Sequence, residues 1–139
     1  MAINFIIHHV AISVIDLDRS EQFYSKFGFT RIDSWRSASS THSIRHLKLD
    51  KTILELFCFD SFEKLPSFSE SLSTDLPRIG VKHFALAVPS IDDAAALVSS
   101  LGIELATPIN KGRLNYFFVR DPDGILLEFI EDSRNLVQA

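Results

Sequence analysis

Two histidine–glutamate pairs recur in the chain at nearly the same spacing. His9 precedes Glu55 by 46 residues, and His83 precedes Glu128 by 45. Both glutamates lie inside apolar runs, where an unpaired carboxylate is costly to bury. Two imidazoles and two carboxylates suit a borderline divalent metal such as Zn, Ni, Co, Mn or Fe. The pattern therefore predicts that the four side chains share one cation, with open positions for water as in a catalytic metal site.

The predicted strands place both pairs beside small side chains. Alternation along a strand puts His9 on the same face as Ala11, and His83 on the same face as Ala85. Small neighbours leave room for a ligand. Each sheet should therefore present one histidine and one glutamate on a single face, over which a cavity can form.

The secondary-structure elements that carry these residues are predicted twice, because the sequence contains an internal repeat. A shift of 74 residues aligns the two halves without a gap over about 20 positions. Helices are predicted from a capping box at Asp18 to Gly28, and from Ser90 to Gly102. The predicted strands cover residues 9–14, 29–36, 43–49 and 52–59 in the first half, and 83–88, 103–107, 114–120 and 125–131 in the second. A turn is predicted at 121–124.

The predicted fold is α+β, built from two tandem βαβββ modules. We expect a single domain over residues 1–139. Module 1 covers 5–60, module 2 covers 80–132, and a Ser-containing linker over 61–79 joins them. Apolar residues within the linker predict that it packs against the modules.

Composition excludes several classes of function. The net charge of −4 and the absence of a basic block argue against nucleic-acid binding. No apolar run approaches the roughly 18 residues of a membrane span. Cys58 is the only cysteine, which excludes an intramolecular disulfide and a cysteine-based zinc site. The start of the chain lacks a basic leader, so a cytoplasmic protein acting on a small molecule is expected.

Several motifs make the chain similar to a known superfamily over essentially its whole length. It resembles the vicinal oxygen chelate superfamily, which includes glyoxalase I, fosfomycin-resistance proteins, bleomycin-binding proteins and extradiol dioxygenases. The motifs are His9-Val10-Ala11-Ile12, Asp18-Arg19-Ser20, Phe23-Tyr24, Gly28-Phe29, Gly80-Val81-Lys82-His83-Phe84-Ala85 and Asp121-Pro122-Asp123-Gly124. The resemblance implies a metal bound by His9, Glu55, His83 and Glu128. It also implies a homodimer in which the first pair of one subunit joins the second pair of the other, although an intrachain site is equally compatible with the sequence.

The closest likeness is to bacterial glyoxalase I-like proteins, which implies a lactoylglutathione lyase-like metalloenzyme. Its substrate would be the hemithioacetal of methylglyoxal and a thiol. Glu128 is the first candidate for the base that moves the C–H proton, and Glu55 is the second. Ser13 and Phe59 stand where glutathione-using members commonly carry Arg and Asn, so the identity of the thiol stays open.

Residues outside the two pairs receive separate predictions. Lys111 lies in a loop that resembles the thiol-approaching loop of the family, and Arg113 and Asn115 could bind an anionic substrate. His42 and His46 lie in or beside a Ser-rich stretch, so solvation is expected for both, although His46 could reach a pocket.

Two alternatives to the isomerase hypothesis remain. A three-ligand site of His9, His83 and Glu128 would support an Fe(II) extradiol-type dioxygenase or a fosfomycin-resistance-like thiol transferase. Glu55 discriminates against these classes, which generally leave its position without a ligand. A drug-binding protein of the bleomycin-resistance kind would need no metal, and the retention of all four ligand-type residues argues against it.

Overall fold

The computed structural model describes residues 2–134 and divides the chain into two compact units, 1–64 and 65–139. The first unit contains four strands and one helix, as predicted. Its elements are β1 (His9–Ser13), α1 (Leu17–Ser25), β2 (Thr30–Arg36), β3 (His42–Leu49) and β4 (Thr52–Phe59). The sheet order is β1-β4-β3-β2, with β1 parallel to β4 and the other pairs antiparallel. This order puts β4 between β1 and β3.

Helix α1 begins at a different residue from the one predicted. Its N-cap is Asp16, whose carboxylate accepts a hydrogen bond from the backbone N–H of Arg19 at 3.1 Å. The predicted capping residue, Asp18, lies in the first turn instead. Asp16 takes this role because its backbone is extended, with φ of −144°, which an N-cap requires. Gly28 follows the helix with φ of +98°, in agreement with its predicted role.

The core of the first unit lies on one side of its sheet. Leu47, Leu54 and Leu56 are buried, as are Phe23 and Tyr24 of α1. Alternation along β4 sends Leu54 and Leu56 into this core, so Glu55 faces the opposite side. The apolar core therefore fixes which face of the sheet carries the candidate site.

The second unit also has one sheet, but with three strands. Its elements are α2 (Leu72–Asp75), β5 (Phe84–Ala87), α3 (Ile91–Ser100), β6 (Asn115–Arg120) and β7 (Leu126–Glu131), preceded by a 3₁₀ helix at Ser67–Glu70. The sheet order is β5-β7-β6, with β5 parallel and β6 antiparallel to β7. Helix α3 begins as predicted, because Ser90 accepts a hydrogen bond from the N–H of Asp93.

The strand predicted at 103–107 is wrong. The segment makes one isolated bridge, between Leu105 and Val119. The N–H of Phe118 donates to the side-chain oxygen of Thr107 rather than to a backbone carbonyl, and Pro108 next in the chain has no N–H to offer. The second unit is therefore βαββ, with a bridge where the predicted strand would lie.

The predicted turn at 121–124 is observed. The linker is attached through backbone carbonyls near residue 70, whereas its apolar Phe62 and Leu65 are about half exposed. The carboxylate of Asp121 accepts hydrogen bonds from two backbone N–H groups of the turn, and Gly124 adopts φ of +88°. The guanidinium of Arg120 donates to the carbonyls of Ser69, Glu70 and Gly124. These bonds attach the 3₁₀ helix of the linker to the turn of the second unit. Over residues 2–134, every helix is too short or too polar to cross a bilayer.

Candidate metal centre

In the first unit, Glu55 lies on β4 between histidines on both neighbouring strands. Ala11 of β1 is its register partner on one side, and His9 lies two residues earlier on the same face of β1. The Nε2 atom of His9 lies 3.7 Å from Oε1 of Glu55. The side chain of Glu55 is 16% exposed and that of His9 is 40% exposed. This unit therefore brings the first predicted pair together at a partly open surface.

His46 also belongs to this site, which contradicts its predicted solvation. Antiparallel pairing places His46 of β3 directly opposite Glu55, and Nε2 of His46 lies 2.6 Å from Oε2 of Glu55. The ring of Trp35 packs edge-on against His46 with centroids 5.0 Å apart. The two oxygens of Glu55 consequently have different histidine partners.

The two other histidines of the first unit have separate surroundings. His8 and His9 are joined through their Nδ1 atoms at 2.9 Å, so Nε2 of His9 is the nitrogen directed toward Glu55. His42 stacks on Phe59, with ring centroids 4.2 Å apart and an angle of 17°. His8 therefore adjoins the site, whereas His42 belongs to an aromatic contact at the start of β3.

The second unit repeats the pair at the matching register. Ala85 of β5 pairs with Glu128 of β7, and His83 lies two residues before Ala85. The Nε2 atom of His83 lies 3.8 Å from Oε2 of Glu128. Burial raises the pKa of Glu128, and the nearby charge of His83 opposes that shift. The position opposite Glu128 is occupied by Phe118, whose ring packs edge-on against His83 at 4.8 Å.

A cavity of about 620 Å³ opens over the second pair. Its wall is partly apolar and partly polar. The lining residues are Leu72, Leu76, His83, Thr107, Pro108, Ile109, Asn110, Lys111, Tyr116, Phe118 and Glu128. The volume suits a small molecule, and Glu128 is directed into it from the sheet.

The three predicted substrate-binding residues occupy different places in the second unit. Lys111 lines the cavity and forms an ion pair with Asp92 at 2.7 Å. Asn115 accepts a hydrogen bond from the N–H of Gly112 and donates to Glu131 at 3.0 Å. Arg113 is exposed in the loop before β6. Of the three, only Lys111 is among the residues lining the cavity.

The predicted donors fit a divalent ion by type, and each unit brings together one predicted histidine–glutamate pair. Over residues 2–134, no group of three or more His, Cys, Asp or Glu side chains converges closely enough to hold a metal. Each unit offers the imidazole and the carboxylate of its predicted pair, which borderline metals accept, and the first unit adds His46, whose Nε2 lies 2.6 Å from Glu55. In the described part of the chain, Nδ1 of His83 is buried without a hydrogen-bond partner. A catalytic zinc site uses at least three protein ligands, which is more than either predicted pair supplies.

Comparison with known proteins gives one consistent result. The chain matches the family model of the glyoxalase/bleomycin resistance protein/dioxygenase superfamily over residues 6–129. It is 30% identical to the uncharacterized protein YwkD of Bacillus subtilis, over 90% of this chain and 95% of that protein. It superposes on the crystal structure of a glyoxalase family protein from Enterococcus faecalis with a TM-score of 0.75 and 32% identity, over 90% of this chain and 96% of the other.

One relative with a named activity has a lower sequence identity. The chain is 27% identical to the lactoylglutathione lyase of Schizosaccharomyces pombe, over 96% of this chain and 49% of that enzyme. It therefore spans about half the length of that relative.

Proposed function

The chain belongs to the glyoxalase/bleomycin resistance protein/dioxygenase superfamily, and from this premise we propose that it is a metal-dependent lyase or isomerase of the glyoxalase I type. The proposed substrate is a small molecule with neighbouring oxygens, such as the hemithioacetal of methylglyoxal and a thiol. One observation carries the proposal: a histidine and a glutamate recur at the same register position in both units. The likeness to a lactoylglutathione lyase supports the reaction class.

His9, Glu55, His83 and Glu128 would hold the metal ion. When bound, the ion supplies positive charge that polarises neighbouring substrate oxygens and offsets the negative charge developing there. The nitrogen and oxygen donors suit Zn, Ni, Co, Mn or Fe. Glu55→Gln should weaken metal binding, because it removes a negative charge from the ligand set. Unchanged affinity in this variant would favour a three-ligand site.

Glu128 is the proposed base. It would remove the C–H proton of the bound substrate and return it to the adjoining carbon, with Glu55 as the second candidate for this role. A carboxylate is a more effective base at neutral pH when its pKa is raised, and burial raises the pKa of Glu128. Glu128 also lines the cavity of the second unit, where Lys111 could pair with an anionic group of the substrate.

We propose that the half-sites are completed in a homodimer, with one pair from each copy. Either predicted pair alone falls short of a catalytic set, so a complete site needs both pairs, and the resemblance to glyoxalases supports their completion across two copies. A mixing experiment tests it: His9→Ala and His83→Ala variants are each expected to lack metal, whereas a mixed dimer contains one intact set. Restored metal binding in the mixture supports the shared site. No restoration, with dimers demonstrably exchanged, would indicate sites completed within each chain.

The decisive test of function is an assay of metal-reconstituted protein. Methylglyoxal is offered with glutathione and, separately, with other small thiols, while thioester formation is measured. We expect turnover that requires both a thiol and metal, and disappears after chelation. No turnover with any of the thiols offered would remove the glyoxalase assignment and leave the fold intact.

A further inference from the structure

We infer that His46 is a positioning residue, which holds the carboxylate of Glu55 in the orientation needed to bind the metal. The inference rests on the proposed function, because it assumes that Glu55 is a ligand. His46 itself need not touch the ion or the substrate. Its contribution would be to fix one oxygen of Glu55 and leave the other available.

The geometry at Glu55 separates its two oxygens. Oε2 lies 2.6 Å from Nε2 of His46, whereas Oε1 lies 3.7 Å from Nε2 of His9. An ionised carboxylate can only accept hydrogen bonds, so His46 must donate through a proton on Nε2. The bond occupies Oε2 and restricts rotation of the carboxylate. Oε1 remains on the side of His9, the other proposed ligand of this unit.

His46 is itself held in place by its surroundings. It lies on β3, an inner strand of the sheet, and its side chain is only 18% exposed. The ring of Trp35 packs against one side of the imidazole at 5.0 Å. Partial burial strengthens a hydrogen bond to a charged acceptor and limits competition from water. A residue orienting a metal ligand needs this combination of a fixed ring and a single strong bond.

The second unit shows that this bond is not a requirement of the fold. The position opposite Glu128 is Phe118, whose side chain has no nitrogen or oxygen to donate. The sheet accommodates an aromatic ring of similar size at this position in either unit. The hydrogen bond is thus a property of the residue type at position 46. A substitution of His46 by phenylalanine can test it, because the second unit carries that side chain at the matching position.

The test compares Zn²⁺ affinities of the metal-free, full-length protein by competition with a chelator. His46→Phe introduces the residue of the second unit, and we expect it to weaken Zn²⁺ binding by about 10–100-fold. His46→Gln keeps an N–H donor at a similar distance and should restore most of the affinity. His42→Phe makes the same change elsewhere on β3 and should leave the affinity unchanged. Wild-type affinity in His46→Phe, or a loss in His46→Gln equal to that in His46→Phe, would overturn the inference.

A second measurement does not depend on metal. In the metal-free wild type, nitrogen-15 NMR of the histidine rings should show a proton on Nε2 of His46 that exchanges slowly with water. The protection should disappear in Glu55→Leu. An unprotonated Nε2, or protection that survives in Glu55→Leu, would refute the positioning role. A wild type that binds no Zn²⁺ yet shows the protected proton would refute the proposed metal site, and with it the positioning of Glu55 for metal, and would leave only the His46–Glu55 hydrogen bond.

Discussion

The two units carry the same histidine–glutamate pair but surround the glutamate differently. Glu55 accepts a hydrogen bond from His46, whereas Glu128 lies opposite Phe118. A hydrogen-bonded carboxylate is held in one orientation. No side-chain donor lies at the position opposite Glu128, and burial raises the pKa of Glu128. The first arrangement suits a fixed ligand and the second suits a base.

The residues that immediately precede His46 and Phe118 point to the other side of each sheet, and they also differ between the two units. Arg45 immediately precedes His46 and hydrogen-bonds to Asp18 and Glu21 of α1. Phe117 immediately precedes Phe118 and stacks on Phe129 with centroids 5.0 Å apart. One unit thus attaches its helix to the sheet with charged groups, while the other has an aromatic stack at the matching position. The same strand arrangement therefore accommodates polar or apolar side chains on both faces of the sheet.

The largest expected effect is a loss of kcat that distinguishes Glu128 from Glu55. Glu128→Gln should lower kcat by about 10²–10⁴-fold, because an amide cannot accept the C–H proton. The thioester assay at saturating metal measures this loss. Glu55→Gln is the matched variant of the first unit, and its main loss should be in metal affinity rather than in kcat at saturating metal. The reverse result, with Glu128→Gln active and Glu55→Gln inactive, would exchange the two roles.

The sequence predicted the first unit almost completely because local signals agree there. Alternating apolar residues, glycine after the helix and a tight turn each indicate the same elements. The pattern could not choose between Asp16 and Asp18 as the N-cap, since both are acidic and only backbone conformation decides. The strand at 103–107 could not be excluded either. Whether it pairs depends on the side chain of Thr107, which takes the N–H of a distant residue.

The position of His46 could have been predicted from the turn that follows it. Leu49 pairs with Thr52 across a two-residue loop, and counting back along both strands from this pair puts His46 opposite Glu55. The Ser-rich sequence nearby favoured solvation and concealed this register. The closeness of the His9 and Glu55 side chains is harder to derive. Strands β1 and β4 are parallel, and their register is set by the packing of the whole unit.

The next largest effect concerns the aromatic stack of the second unit. Phe117→Ala should lower the free energy of unfolding by about 3–5 kcal/mol, because the ring is fully buried and its removal leaves a cavity. Urea unfolding followed by circular dichroism measures the change. Leu97→Ala is the control, since Leu97 is exposed on α3 of the same unit and its loss should have little effect. Equal effects of the two variants would show that the stack does not stabilise the unit.

The hydrogen bonds between Arg45 and α1 should stabilise the first unit less than the Phe117–Phe129 stack stabilises the second. Arg45→Met should lower the free energy of unfolding by about 1–3 kcal/mol, because Arg45 is largely buried and loses its hydrogen bonds. Arg36→Met removes an exposed ion pair with Asp60 and should change stability little. If Arg45→Met proved as harmful as Phe117→Ala, the two attachments would be energetically equivalent despite their different chemistry.

The Arg45 variant also has a defined pH dependence. The hydrogen bond from Arg45 lowers the pKa of Asp18 below its ordinary value of 3.8. A carboxyl group with a lowered folded-state pKa stabilises the protein above its ordinary pKa, and this stabilisation is lost as the pH falls through the folded-state pKa. The stability difference between wild type and Arg45→Met should therefore be largest above pH 3.8 and should shrink at lower pH. A difference that is constant through this range would mean that Asp18 does not contribute.

The smallest expected effect on stability concerns the hydrogen bond that links the start of a helix to the sheet in each unit. Glu131 accepts a hydrogen bond from the N–H of Ile91, the first residue of α3, at 2.8 Å. At the matching position of the first unit, Cys58 donates from its sulfur to the carbonyl of Ile15, just before α1. Glu131→Met should cost about 0.5–2 kcal/mol of unfolding free energy, which is the range for losing an acceptor at a helix N-terminus.

Glu131→Gln separates the acceptor from the charge, since it keeps an oxygen for the N–H of Ile91. Near wild-type stability in this variant would show that the hydrogen bond, rather than the negative charge at the helix start, fastens α3. A loss equal to that of Glu131→Met would assign the effect to the charge. Either variant also alters the partner of Asn115, so an accompanying rise in KM would support the predicted role of Asn115 in substrate binding. An unchanged KM with lowered stability would limit Asn115 to holding the loop before β6.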